Sequence, residues 1–340
     1  MPISAYDKVA ATTLSLYAKE IVDNLTTQKV LLWDMGRRGG IIYRKGGERL
    51  VFPVFLDDNP TVRSYTDFEA FDMTVATGPR AAEYEWKSLG GVAQLSGMQL
   101  FKNSGSATQV ADLWTAEGDN LAISMRNAVN AQLFSDGSNG KDIVGLLAAV
   151  ENGDAWSTFG GINSNTITGW RNNFVDVAGI DSGGTPNAAE IAIFRRGMVQ
   201  LVNGVLSGGG GKPHLIVTTQ TLHEYWENNV LIPNEKYDRI AVDEDMARSG
   251  FENFVFKGVP VVWDVDMLPN TTGDDNQGMV ALNFDYLKYC IGEGFDFQFG
   301  DIVVPDNQDA QSVKCILYSN LIVTRRRSQG RADFDTSSSS

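Results

Sequence analysis

The chain has 340 residues of which 43% are hydrophobic, enough for sizeable cores and for about two domains at the usual domain size. Its 28 basic residues stand against 42 acidic ones, and a formal charge of −14 excludes an overall basic field that would coat nucleic acid, leaving only local basic patches for such contacts. Cys290 and Cys315 are the only cysteines, too few for a disulfide framework and without the spacing of a metal knuckle, which points to a reducing compartment.

The opening segment lacks the basic start, long apolar core and cleavage site of a secretory signal, and no window approaches about eighteen uninterrupted apolar residues. A soluble protein made in the cytoplasm is expected. Over residues 5–33, Val9, Leu14, Tyr17, Ile21, Val22, Leu25 and Leu32 recur near the spacing of one helix face, predicting a long amphipathic N-terminal helix or arm. It runs into Arg37, Arg38, Gly39 and Gly40, where adjacent glycines break regular structure and two arginines are expected to be exposed.

From Arg49 the pattern changes to strands. Leu50 to Phe55 is a β-rich run whose Pro53 lacks a ladder donor and so argues for an edge. Asp57, Asp58, Asn59 and Pro60 make a turn, and Glu83, Glu85 and Lys87 then alternate with Tyr84 and Trp86, the period-two signature of a ribbon with one apolar face. Together they predict a long hairpin. An isolated ribbon is marginal in water, so its apolar face is expected to lie on something else, such as another subunit.

Ser106 and Gln109 suggest a capping box, followed at helical spacing by Val110, Leu113, Trp114, Leu121, Met125, Ala128, Val129 and Leu133, a long structural helix ending near Gly137. Asn187 with Glu190 opens a second helix, stopped by Gly208 to Gly211. Leu215 to Val217 reads as a short buried strand, with a helix starting at Thr219 or Thr221 and running through Trp226. Strands are expected at Phe254–Phe256, Val261–Trp263, Met279–Leu282, Phe295–Phe299 and Lys314–Val323, with Val261 and Trp263 in a buried strand of the central domain, and disorder is expected in the final residues.

Catalytic motifs are scarce. Gly208 to Lys212 imitates a phosphate loop, but Leu206 stands where the first glycine belongs, Pro213 follows the lysine, and the glycines precede a strand instead of a helix. His214 and His223 are the only histidines, nine positions apart and outside any HExxH pair, and no GxSxG elbow surrounds a serine. The acidic groups Asp57–Asp58, Asp243–Asp245 and Asp274–Asp275 sit in turn-like contexts best read as solvated loops. Arg325, Arg326 and Arg327 end a strand. Three arginines there cannot all enter an apolar core, so at least some face solvent, nucleic acid or a carboxylate of another chain.

Four segments, TFGGINSNTITGWRN (Thr158 to Asn172), GGKPHLIVTTQTLHEYWE (Gly210 to Glu227), GFENFVFKGVPVVWD (Gly250 to Asp264) and NLIVTRRRSQG (Asn320 to Gly330), resemble the major capsid proteins of tailed bacteriophages, which share the fold of the Hong Kong 97 phage shell. The resemblance implies an α+β chain divided into an N-terminal arm (1–45), an extended β-hairpin loop (46–97), a peripheral domain with a spine helix (98–140), a central or axial α/β domain (141–265), returning strands of both domains (266–335) and a disordered tail (336–340). It also implies function. The expected protein is no enzyme and uses no cofactor or metal. It self-assembles as hexamers and pentamers into an icosahedral virion capsid enclosing double-stranded DNA without sequence-specific binding, and it is built in the host bacterial cytoplasm without membrane contact. Separate scaffolding, portal and decoration proteins are its further expected partners.

Arg37, Arg38, Tyr84, Trp86, Lys87, Arg325, Arg326 and Arg327 are the expected intersubunit contacts. Some relatives crosslink a hairpin lysine to a neighbour's asparagine, and Lys87 is a candidate by position only. Two alternatives stand beside this reading: a cellular nanocompartment shell of the same fold, and a soluble α+β metal-dependent hydrolase using His214 or His223.

Overall fold

In a computed structural model of the chain, residues 29–56, 59–74, 78–102, 107–153, 156–177, 187–231, 253–267 and 276–335 are described. Most of the predicted N-terminal helix, the Ser106 cap, the three acidic groups just named and the tail after Asp335 lie outside them.

The elements follow in order. The first are helix α1 (Val30–Arg37) and strands β1 (Ile41–Arg44), β2 (Arg49–Val54), β3 (Arg80–Glu85) and β4 (Lys87–Ser96). Helices α2 (Gly97–Lys102), α3 (Ala107–Leu133) and α4 (Leu146–Ala149) come next, then strands β5 (Thr158–Phe159), β6 (Ile162–Asn163) and β7 (Asn173–Val177). Helix α5 (Ala188–Val205), strand β8 (Leu215–Thr218) and helix α6 (Gln220–Trp226) precede seven strands: β9 (Phe254–Phe256), β10 (Val259–Trp263), β11 (Asn276–Leu282), β12 (Leu287–Gly292), β13 (Gln298–Phe299), β14 (Ala310–Val323) and β15 (Gly330–Asp335).

Two sheets organise the molecule. One is built on the 14-residue β14, which pairs antiparallel with β4 along one side and with β12 and β13 along the other, while β1 adds to β12 in parallel. The other has six strands in the order β7-β15-β11-β8-β10-β9. Its two faces are read directly from side-chain alternation. Leu215, Val217, Val262, Val280 and Leu282 join a core with Met125, Val129 and Leu133 of α3, with α1 and with the first sheet. Ile216, Val261, Met279, Ala281 and Phe334 join a second core with Phe194, Met198 and Leu201 of α5 and Leu222 and Trp226 of α6. Buried on both faces, β8 needs the unbroken apolar run that its sequence has.

Local signals in the sequence explain several boundaries. Asn187 caps α5 by accepting from the Ala189 and Glu190 amides while the Glu190 carboxylate accepts from the Asn187 N–H, a complete capping box. The glycine run ends α5 because Gly209 takes φ +79, a conformation that strains any side chain, and a Cβ on Gly208 would collide with the Arg327 carbonyl. Helix α3 runs for 27 residues, about as long as its periodicity suggests.

Other expectations are corrected. β1, β12 and β15 were not legible as strands, and of Phe295–Phe299 only Gln298 and Phe299 pair. Val261 and Trp263 do lie in a buried strand, in which Val259, Val261 and Val262 are fully buried while Trp263 at its end is half-buried. The end of the expected N-terminal helix or arm is helical from Val30, and Val30, Leu31 and Met35 are fully inside the first core. The hairpin base is no unsupported ribbon, since β2 and β3 pair and Leu50, Val54, Ala82 and Tyr84 are buried against the chain's own core.

Candidate intersubunit surface

The arginine cluster after β14 separates into three fates. Arg326 is wholly buried. Its Nε donates to the Ala149 carbonyl at 2.8 Å, Nη1 to Ser164 Oγ at 2.7 Å and Nη2 to the Ala148 carbonyl at 3.3 Å, while Nη2 stands 3.2 Å from Glu151 Oε2. The guanidinium also lies over the Phe159 ring at 4.9 Å. Burial lowers its pKa, and the Glu151 carboxylate opposes that shift. Glu151 is held in turn by the Ser157 amide and hydroxyl, and its backbone exchanges hydrogen bonds with the Asn172 side chain. Arg326 is therefore an internal strut, and its expected place at a subunit contact is corrected: fan-shaped donors meeting carbonyls and one carboxylate let a charge sit inside.

Arg325 is half-exposed with its guanidinium over the Tyr286 ring at 5.4 Å, and Arg327 is exposed. Both line a cleft of about 430 Å³ whose other walls include Phe55 and Leu56 at the hairpin base and Tyr286.

Tyr84 is the second correction. It is 4% exposed, its hydroxyl donates to the Val323 carbonyl at 2.6 Å, and its ring meets Phe159 edge-on at 5.6 Å. Burial drives its phenol pKa up. Trp86 is half-buried against the first core, and its indole N–H finds no acceptor among the described residues. Lys87 donates to the Gly140 carbonyl at 2.6 Å and lies 3.7 Å from Glu85. Arg37 and Arg38, with side chains 25% and 26% exposed, both hold the fully buried Asp34, at 3.0 and 2.9 Å, so they are partly shielded instead of free.

Two sets of exposed apolar side chains were missed by the sequence reading. The first is the hairpin tip, where Val62, Tyr65, Phe68, Phe71 and Met73 are all exposed, Phe68 completely and with a positive φ of 69°. Tyr65 and Phe71 touch at 4.9 Å between ring centroids, and Arg63 reaches the Ala70 carbonyl at 2.7 Å, so the tip has a shape of its own. Asp67, Glu69 and Asp72 share this stretch. A signal existed: Val62, Tyr65, Phe68 and Phe71 recur every third residue, which fits neither a strand nor a core-facing helix. Further exposed apolar side chains lie on the first sheet's margin, Met98 and Phe101 of α2, which follows β4, and Phe299 and Ile302 to Val304 along the opposite edge of β14.

His214 accepts the Phe284 amide on Nδ1 at 3.1 Å, and burial lowers its pKa. His223 packs on the Phe254 ring. The two lie on no common site, and among the described residues no three His, Cys, Asp or Glu side chains are grouped to hold a metal. No described helix is long and apolar enough to cross a membrane.

Two of the four capsid-like segments meet at the strut: Phe159, Ser164 and Trp170 come from the first and Arg326 from the last, with the Trp170 indole donating to the Phe159 carbonyl at 2.9 Å. The other two lie side by side as the parallel pair β8 and β10.

No family model matches the sequence, and no curated protein matches it. Solved structures do match over nearly the whole chain. The cyanophage A-1(L) capsid asymmetric unit aligns with 94% of this chain and 96% of its own at 18% identity and a TM-score of 0.63. The capsid of the empty GTA particle covers 93% of each chain at 14% identity and 0.58. The holo-SrpI encapsulin complex from Synechococcus elongatus PCC 7942 covers 97% and 96% at 12% identity and 0.53. With helices and sheets in this arrangement and neighbours of this kind, the chain has the α+β fold of Hong Kong 97-type capsid proteins.

Proposed function

We propose that this protein is the major capsid protein of a tailed bacteriophage, assembling as hexamers and pentamers into an icosahedral shell around double-stranded DNA in the host cytoplasm. One observation carries the reading: the hairpin tip displays Val62, Tyr65, Phe68, Phe71 and Met73 to solvent. Apolar patches of that kind mark association surfaces. The tip is acidic, and Arg325 and Arg327 offer basic, bidentate partners for a neighbour's carboxylates. Tyr84 and Arg326 have no part in this contact.

Imaging of the purified protein tests the proposal: closed particles of megadalton mass support it, and a monomer or small oligomer at high concentration rejects it. The encapsulin likeness over 97% of the chain favours a second reading, a protein-filled nanocompartment. The content of particles recovered from the native source separates the two, since a phage shell encloses DNA and a nanocompartment encloses protein.

A further inference from the structure

At the carboxyl ends of the parallel strands β8 and β10, Thr218 pairs with Trp263, and the next residues are Thr219 and Asp264. Alternation turns Val217 and Val262 toward the core shared with α3, and Thr219 and Asp264 follow them to that side. There Asn130 of α3 donates from its single amide nitrogen to Asp264 Oδ1 at 3.0 Å and to Asp266 Oδ2 at 2.7 Å. Lys29, which leads into α1, donates to the same Asp266 oxygen at 2.6 Å, and the Asp266 amide closes back on Asp264 Oδ1 at 3.0 Å. One knot thus joins the root of the N-terminal segment, the long helix and the six-stranded sheet.

The knot is short of a donor. Asp264 Oδ2 and Asn130 Oδ1 are buried acceptors without hydrogen-bond partners, on residues that are 1% and 0% exposed, and the Thr219 hydroxyl, likewise unpartnered, carries a single O–H, which leaves at least one of the two acceptors unfilled. An amide oxygen and an ionised carboxylate only accept, so the first two cannot satisfy one another, whereas a proton on Asp264 turns one of them into a donor. Flipping the Asn130 amide does not help, because its nitrogen already serves two carboxylates.

Charge gives the same answer. The ionised groups acting on Asp264 are Asp266, which repels its charge, and Lys29, which is spent on Asp266. From α3 comes the uncharged Asn130 and from the end of β8 the uncharged Thr219. In α6, His223 rests on Phe254 and Glu224 accepts from Gln220. Burial is the main reason that the Asp264 pKa is pushed up to about 6.

We propose that Asp264 is a proton-operated latch: neutral, it locks the root of the N-terminal segment and α3 to the central sheet, and ionised, it loosens that junction. A carboxyl whose folded pKa exceeds its unfolded value binds its proton more tightly in the folded state. The latch is therefore firmest at acid pH and weakens as pH rises through about 6.

The test is thermal unfolding of the full-length protein and of Asp264→Asn across roughly pH 4 to 8. The variant keeps an oxygen for Asn130 and removes the titration. Its melting temperature is expected to gain on the wild type as pH rises through about 6, by roughly 5 °C at the plateau. Parallel curves overturn the proposal. Taking the difference between the two proteins cancels His214, which both retain.

Lys29→Met is expected to move the wild-type midpoint upward, because the cation that favours the ionised form is gone; an unmoved midpoint shows that the latch does not reach the N-terminal root. Should Asp264→Asn fail to fold, hydrogen exchange of the wild type, corrected for its intrinsic pH dependence, answers the same question. Slower exchange at Val30–Arg37 below the transition than above it supports the latch, and equal protection rejects it.

Discussion

The hairpin presents apolar side chains at both of its ends, and the two ends treat them oppositely. At the base, Leu50, Val54, Ala82 and Tyr84 are 0–7% exposed, sealed against the chain's own core. At the tip, Val62, Phe68 and Met73 are 82%, 106% and 89% exposed. Composition does not distinguish these ends; location does. The base lies within reach of β14, α4 and the β5–β6 hairpin, where Phe159 and the Val323 carbonyl receive Tyr84. The tip side chains are left uncovered by every other described element, an exposed apolar area of the kind that marks association surfaces. The same division runs through the arginines, where Arg326 holds the base region together and Arg327 faces outward.

Breaking the strut should give the largest effect. Arg326→Ala leaves Glu151 buried without its counter-charge and is expected to cost about 3–5 kcal/mol of subunit stability. Denaturant unfolding of the variant checks it; an unchanged midpoint would show that Arg326 does not anchor the base.

Next is Trp170→Ala. Trp170 is 1% exposed, and removing its ring from the same region should cost about 3–5 kcal/mol. Trp263→Ala, at a half-buried position, should cost clearly less, and equal losses would contradict the burial difference.

At the tip the order of effects reverses. Phe68→Ser with Phe71→Ser should leave the unfolding midpoint within roughly 0.5 kcal/mol of wild type while abolishing or greatly slowing particle formation, read by light scattering. Arg327→Ala should likewise spare the subunit and weaken assembly, more so at low salt where charge pairs matter most. Normal particles from both variants would remove the tip and the arginine from the contact.

Smaller still is Tyr84→Phe, which deletes one buried hydroxyl bonded to the Val323 carbonyl at 2.6 Å and should cost about 1 kcal/mol. The smallest effect concerns His214. Burial lowers its pKa, so the folded state resists its protonation, and stability is retained above the unfolded histidine value and falls as pH drops below it. His214→Gln should flatten that acid-side decline slightly.

Much of the local structure was legible. The alternation of Glu83 and Glu85 with Tyr84 placed the tyrosine on the apolar face of the ribbon, since side chains of a strand point to opposite sides whatever they meet, but it did not say which partner, its own core or a neighbour, that face meets. Asn187 with Glu190 announced the start of α5, and the glycine run announced its end, because caps and left-handed turns are decided by a few neighbouring residues. The four capsid-like segments indicated the fold, and these residues now have structural reasons: they form the strut around Arg326 and the β8–β10 pair.

What those faces pack against was decided only by the tertiary structure. Ile41–Arg44 carries no strong strand pattern and becomes a strand because β12, almost 250 residues later in the chain, offers it an edge. Arg326 reads from the sequence as one of three arginines ending a strand and meeting another subunit. It is buried because Ala148, Ala149, Glu151 and Ser164, distant along the chain, supply acceptors and a counter-charge at the one point where its side chain ends. The sequence by itself set the periodicities, the caps and the −14 charge, all of which depend on residue type and short-range spacing. Which aromatic is core and which is surface, and which arginine is strut and which faces outward, depended on long-range partners, because burial of a group is settled by the atoms that surround it and not by its neighbours in the chain.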